Sequence, residues 1–344
     1  MLSKARHYLQ HEVSQQFKNW YLSLVPTQGS VFSPDRCCFS IGQGQIQFVH
    51  VRKQQEKAEI LLCETFSYEQ LKEIKTILSR LVQQHQLTGV RSTWILQSPQ
   101  YQLLQTETLP VSPQEFQAAI RWKVKDLLGF PIEDAIIDHF ALPKAKLPTS
   151  LELIMLVVAR ISQIEPISQL IAASGLKLAT IDIPELSFRN LTSGYEQDEK
   201  TTVMIYLQQD YSQLIMTNQQ KLYFSRHLGI NLQKLKAISG SNSQKQELNQ
   251  LVNETALDLQ RSFDYYQSQW RQPEPARLLF GSAAACSEDF VRGISQGLNI
   301  EIQKFALDRY FTNTAHLDLD REGGYLPLLG GIIREWGQSY AAGN

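Results

Sequence analysis

Apolar residues recur along this chain at two spacings, and the switches between them divide it into elements. Leu2, Ala5, Leu9, Val13, Phe17, Trp20, Tyr21 and Leu24 recur at mainly three- and four-residue steps, which predicts an amphipathic helix over residues 2–25. A Pro-, Gly- and Ser-containing stretch follows, so residues 1–30 read as helix and linker. The pattern then turns strand-like: residues 37–41, a turn at 42–45, then 46–51 and 58–63 predict a three-stranded meander. A stripe of Leu71, Ile74, Ile77, Leu78 and Leu81 predicts a helix, and residues 90–96 the next strand.

Residues 101–181 have a rhythm of their own. Strands near 103–109, at 135–140, 151–159 and 176–181, with helices at 113–128 and 164–173, give a β-α-β-β-α-β succession. This predicts a small ferredoxin-like insert, its first helix capped by Ser112. After a helix over 183–191, strands at 202–209, 212–217 and 222–226 repeat the first meander in arrangement, though not in residues. A long helix over 244–270 carries Leu248, Val252, Leu259, Phe263, Tyr266 and Trp270 on one face. Strand, helix and strand follow at 277–280, 287–296 and 299–305, and a short helix at Ile332 and Ile333 closes the chain after the pair Gly330-Gly331. The organisation expected is a first lobe of residues 31–100 plus 182–200, an insert of 101–181, and a second lobe of 201–344.

Length changes this picture little, since 344 residues suit two cooperating lobes. A formal net charge of −1 gives no field that would gather nucleic acid, so no nucleic-acid partner is expected. The longest strongly apolar run, residues 153–159, is far short of the roughly 20 residues that span a bilayer. The amino terminus has neither a continuous apolar core nor a small-residue cleavage site, and Cys37, Cys38, Cys63 and Cys286 show no Cys-x-x-Cys spacing. Reduced thiols and cytoplasmic residence follow as expectations; adjacent Cys37 and Cys38 would face opposite sides of a strand.

Catalytic motifs are scarce. The chain holds no phosphate-loop Gly-Lys-Ser/Thr, no His-Glu-x-x-His and no Gly-x-Ser-x-Gly, and Gly42-Gln43-Gly44 lacks the third glycine of a dinucleotide fingerprint. His7 and His11 share a helix face without attached carboxylates or thiols, so they read as a surface pair and not a metal site. Glu133, Asp134 and Asp138 read as solvated charges around a turn and strand, and Arg121, Lys123 and Lys125 as a solvated helix face that could steer an acidic partner.

Four stretches carry a family resemblance: FSIGQGQIQFVHV from residue 39, EFQAAIRWKVKDLLGFPIEDAIIDHFAL from 115, LDLQRSFDYYQSQW from 257 and GYLPLLGGIIREW from 324. With them the chain resembles the PilM family of type IV pilus assembly proteins, especially the MshI branch of mannose-sensitive haemagglutinin (MSHA) pilus biogenesis. The resemblance implies an α/β, degenerate actin-like (ribonuclease H-like) two-lobed fold with an inserted small α+β subdomain. In actin-like ATPases, each lobe's first strand ends in an aspartate followed one residue later by glycine, for magnesium and phosphate respectively. Here those positions fall on Ser40 and Gly42, and on Tyr206 and Gln208, so both carboxylates are missing. Gly281 and Ser282 stand where the family has an adenosine-contacting glycine pair. The resemblance therefore implies at most a vestigial nucleotide site at Gly42, Gly44, Gly281 and Ser282, with ATP and magnesium not favoured as cofactors and no hydrolysis.

In the family, the actin-like protein binds the cytoplasmic amino-terminal tail of a single-span inner-membrane pilus assembly protein. A scaffold with that partner is the function implied, the Phe130-Pro131 turn lying near the contact and residues 2–25 offering a peripheral membrane contact. The alternatives are an ATP-binding switch whose lobe closure modulates partner binding, and a polymerising cell-division-like homologue.

Overall fold

The structure is a computed structural model that describes residues 33–55, 57–144, 152–196, 200–239, 244–281, 288–313, 315, 317 and 323–335. The helix and linker expected over residues 1–30 lie outside the described residues.

Three strands open the first lobe: β1 (Asp35–Gly42), β2 (Gln45–Lys53) and β3 (Ala58–Ser67), paired antiparallel. Helix α1 (Leu71–Gln84) leads to β4 (Arg91–Ile95), parallel to β1. The chain then leaves the sheet for β5 (Tyr101–Glu107), α2 (Pro113–Val124), β6 (Ala135–Ala141) and β7 (Leu153–Arg160). It returns through α3 (Ile161–Ala172), β8 (Lys177–Asp182) and α4 (Pro184–Thr192). The second lobe repeats the opening with β9 (Thr202–Leu207), β10 (Ser212–Asn218) and β11 (Lys221–His227). There follow α5 (Leu232–Ser239), α6 (Gln244–Trp270), β12 (Arg277–Phe280), α7 (Glu288–Leu298), β13 (Glu301–Lys304), β14 (Phe311–Asn313) and α8 (Leu326–Glu335).

The two large sheets have the same plan. Their orders are β14-β3-β2-β1-β4-β8 and β11-β10-β9-β12-β13, so each has an antiparallel meander followed by two parallel strands. The internal repeat read from the sequence is thus a repeat of topology.

Alternation along β1 explains the layering. Cys37, Phe39 and Ile41 face outward into a cluster with Ile74 and Leu78 of α1 and Ile167 and Ile171 of α3. Cys38 faces the opposite way, into a central cluster shared by α8, α4 and the inner face of the second sheet, including Met204, Tyr206 and Ile215. The far face of that sheet buries Leu259, Phe263, Tyr266 and Trp270 of α6. The central cluster belongs to both lobes, so burial of apolar area resists their separation.

Three expectations need correction. The insert comprises residues 101–160 and is not ferredoxin-like: among the described residues it has a three-stranded sheet, ordered β5-β7-β6, and one α-helix. Helix α3 and strand β8 belong to the first lobe, where β8 pairs with β4. An α-β pair carries the same local pattern whichever sheet receives it; only register with β4 decides. The second lobe likewise does not take in β14 and α8, because β14 pairs with β3 and α8 packs against β1 and β4 of the first lobe. Finally, Gly330 and Gly331 lie inside α8 instead of preceding a helix. A Cβ on Gly330 would stand 2.2 Å from the Ser187 carbonyl oxygen, and one on Gly331 would stand 2.8 Å from Ile95 Cδ1, so close packing and not helix termination accounts for the pair.

The insert touches both lobes. Tyr101, Ile136 and Ala159 pack against the first lobe's outer cluster, whereas Leu142, Leu153 and Met155 pack with that of the second. Its own core joins Ile120 and Val124 of α2 to Ile137, Ile154, Leu156 and Val158.

Candidate functional site

The turn that closes β1 and β2 is as short as a hairpin allows. Gln43 and Gly44 both have positive φ, 51° and 73°, which is the backbone of a two-residue turn matched to strand twist. Gly44 is therefore required by the turn, and its carbonyl accepts a hydrogen bond from the Tyr68 amide at 2.8 Å. Gly42 is covered by Gln97, whose Oε1 lies 2.5 Å from where a Cβ would stand. Gln97 also donates to Ser40 Oγ at 2.9 Å, and Ser40 donates to Gln47 Oε1 at 3.2 Å. The end of β1 is thus capped by the chain's own amides.

At the equivalent place in the second lobe, Tyr206 is 1% exposed and its ring lies 4.6 Å from that of Phe188. Gln208 Nε2 donates to its hydroxyl. Burial pushes the phenol well above its ordinary range, so it acts here as a neutral hydrogen-bonding group. Asp210, just downstream, is exposed on the turn. Gly281 donates its amide to the Ile205 carbonyl at 2.9 Å, and a Cβ there would stand 2.7 Å from Met204 Cε and 3.3 Å from Leu326 Cδ1. Each of the three glycines therefore faces protein atoms, and Ser282 lies outside the described residues.

The charged groups weighed in the sequence are mostly tied within the fold. Asp134 accepts from the Ser162 amide and hydroxyl, both at 2.8 Å, which fastens the insert to the first turn of α3. Arg121 donates to the carbonyls of Ala135 and Ile132, at 2.8 and 2.5 Å. Lys123 donates to the Glu107 carbonyl at 3.0 Å, and Lys125 sits 4.6 Å from the exposed Trp122 ring. Lys123 and Lys125 are exposed, as a solvated face requires, whereas Arg121 is half-buried and tied to the backbone.

Phe130 occupies a more suggestive position. It is half-buried, packs against the insert core, and has the Arg160 guanidinium 4.5 Å from its ring centroid. It also lines a groove of about 250 Å³ where the insert meets the first lobe, together with Pro99, Tyr101, Gln102, Arg160 and Gln163. Pro131 is exposed beside it and leads into a 3-10 turn. A larger depression of about 490 Å³ near the β2–β3 connection is lined by Gln54, Gln55, Lys57 and Thr312.

Sequence reasoning missed a deeply buried acidic group. Glu185, 3% exposed, accepts from the Tyr101 hydroxyl at 3.0 and 2.8 Å and from Gln213 Nε2 at 2.6 Å. Burial raises its carboxyl above the ordinary range, opposed by hydrogen bonds from its own amide, Tyr101 and Gln213. In the sequence, a Pro-Glu pair opening a helix reads as an ordinary first-turn acid, and nothing local marks it as buried.

No protein-family model matches the chain, and no curated protein matches its sequence. Solved structures do match. A chain of the "PilM-PilN type IV pilus biogenesis complex" superposes with a TM-score of 0.64 and 14% identity, covering 87% of this chain and 98% of that one. The cytoplasmic domain of EpsL, an inner-membrane component of the type II secretion system of Vibrio cholerae, gives a TM-score of 0.45 at 10% identity, covering 87% and 94%. A protein of Bacteroides thetaiotaomicron with an actin-like ATPase fold gives 0.46 at 7% identity, covering 86% and 98%. The fold is actin-like, of the PilM kind. Among the described residues, no helix is long and apolar enough to cross a membrane.

Proposed function

We propose that this protein is a cytoplasmic scaffold of a type IV pilus-like, MSHA-type biogenesis machinery that binds the amino-terminal cytoplasmic tail of a single-span inner-membrane assembly protein. The observation that carries the reading is the groove between insert and first lobe, with the half-exposed Phe130 ring in its wall. Aromatic anchors that pack into a pocket contribute disproportionately to binding. Strand β5, whose first residues line the groove, is an edge strand of its sheet, and such strands offer main-chain groups to an extended segment. The superposition on a chain solved in a complex with a partner supports the reading at the level of fold. The protein acts by binding and not by turnover. Support for that comes from Ser40 and Tyr206, engaged with Gln47, Gln97 and Gln208 where metal-binding carboxylates would stand.

The test is retention of the purified protein by a synthetic peptide of the tail encoded beside its gene. Phe130→Ala is expected to weaken binding about tenfold, as a hot-spot ring does. Because Phe130 is also half-buried, its melting temperature is expected to fall by a few degrees, for a loss of about 1–2 kcal/mol. Full-length protein that retains no peptide up to about 1 mM, where binding is only about 4 kcal/mol, overturns the scaffold reading.

A further inference from the structure

Three parts of the molecule meet at one buried carboxylate. Glu185 is in the first turn of α4, the helix that connects the first sheet to the second. Tyr101, the first residue of β5, brings its hydroxyl to both carboxylate oxygens and lines the groove beneath Phe130. Gln213 reaches Glu185 from β10 of the second lobe, and its Nε2 also lies 3.0 Å from Ser225 Oγ of β11. The contact therefore runs from the groove, through the connecting helix, to the second lobe.

A carboxylate so deeply buried keeps its charge at low cost only while its acceptors are filled. Losing one donor leaves a desolvated oxygen unpaired, which costs more than an exposed hydrogen bond would contribute. The same low dielectric makes neighbouring hydrogen bonds of a network support one another, so the Tyr101 and Gln213 contacts should not be independent. Withdrawing Gln213 loosens the carboxylate that positions Tyr101, and the reverse holds equally.

We propose that Glu185 is a coupling residue: by holding Tyr101 and Gln213 together, it links the shape of the insert groove to the seating of the second lobe. The occupant of the groove rests on the tail-binding function proposed above, but the coupling is a property of the free protein. By reciprocity, whatever the second lobe does to peptide affinity, the peptide does to the second lobe.

Amide hydrogen exchange on the peptide-free full-length chain tests the coupling from both ends. Gln213→Leu, outside the groove, is expected to speed exchange at residues 101–104 roughly tenfold, and Tyr101→Phe to do the same at residues 212–216. Strands β2 and β12 should keep wild-type rates. Each direction is an independent test, so misfolding of one variant leaves the other decisive. Exchange that changes only on the substituted side overturns the proposal, whatever the peptide does. In a second arm, the tail peptide should bind Gln213→Leu about tenfold more weakly than wild type. Peptide affinity unchanged by Gln213→Leu overturns the link to the groove. If exchange crosses from side to side while wild type retains no peptide, the coupling stands and the tail-binding function falls.

Discussion

Gly330→Ala adds a single methyl group at the tightest approach between α8 and α4. The new Cβ would stand 2.2 Å from the Ser187 carbonyl oxygen, 2.7 Å from its carbon and 3.1 Å from Cα, all backbone atoms that no rotamer change can clear. Helix α8 must therefore move outward by roughly 1 Å to restore contact distance in a close-packed interior. That shift pulls on the hydrogen bond from Asn190 Nδ2 to the Gly330 carbonyl, now 2.9 Å, and unseats Leu329 and Ile332 from the central cluster. Overpacking of this kind costs about 1–3 kcal/mol and the strained hydrogen bond about 1 kcal/mol more, while alanine returns about 1 kcal/mol of helix propensity. The expected net loss is about 2 kcal/mol, read as a urea midpoint lowered by roughly 0.5–1 M. Gly297→Ala in α7 is the matched control, since its Cβ would meet only Ala256 Cβ at an ordinary 3.5 Å. Equal midpoints for Gly330→Ala and wild type would refute the idea that the glycine serves this crossing.

Two further outcomes concern ATP and pH. Magnesium-ATP at millimolar concentration should leave the melting temperature unchanged, because a ligand of the native state raises it by mass action; a saturable, magnesium-dependent rise would show a working nucleotide site. Burial raises the Glu185 carboxyl above its ordinary value of 4.5, so its contribution to stability is present below that pH and lost as pH rises through the folded value. Denaturant titrations should accordingly show wild type losing stability relative to Glu185→Gln as pH climbs from about 4.5 toward neutrality, with Tyr211, His227 and Asp182 as the other titratable groups nearby. A difference independent of pH would contradict a buried, desolvated carboxyl.

Much of the fold is legible because its elements are periodic. The stripe of α6 and the alternation of β1 each define a face, and both faces are buried as their periods require. Helix α5 and strand β14 escaped notice: the first is short and of mixed polarity, and three-residue β14 exists only because β3 offers an edge. Sheet membership escaped for a different reason, since the residues of α3 and β8 would serve a four-stranded insert as well as they serve the first lobe. At the site, Ser40 and Tyr206 could be placed near the ends of the two first strands from the sequence, but the groups that meet them could not. Gln97 meets Ser40 from 57 positions away, and Glu185 meets Tyr101 from 84, separations at which local spacing carries no information.

The shared topology of the two lobes makes the contrast between their hairpins meaningful. Strands β1 and β9 occupy equivalent central places in sheets of the same order, so Ser40 and Tyr206 project from equivalent positions toward the shared central layer. One is met by two amides and the other by a buried ring and an amide. Any anionic ligand entering between the lobes must displace these partners and leave some unpaired, at about 1–3 kcal/mol for each buried group stranded. A ligand whose other contacts would give micromolar affinity, about 8 kcal/mol, thus loses roughly tenfold for each 1.4 kcal/mol of such cost. At the groove beside Phe130 the Arg160 guanidinium already lies over the ring, so an entering group must share or displace that contact, but filling the groove leaves the central layer intact. Entry at the groove thus disturbs fewer buried polar groups than entry between the lobes, and Tyr101, which lines the groove, ties it to Glu185 of the connecting helix.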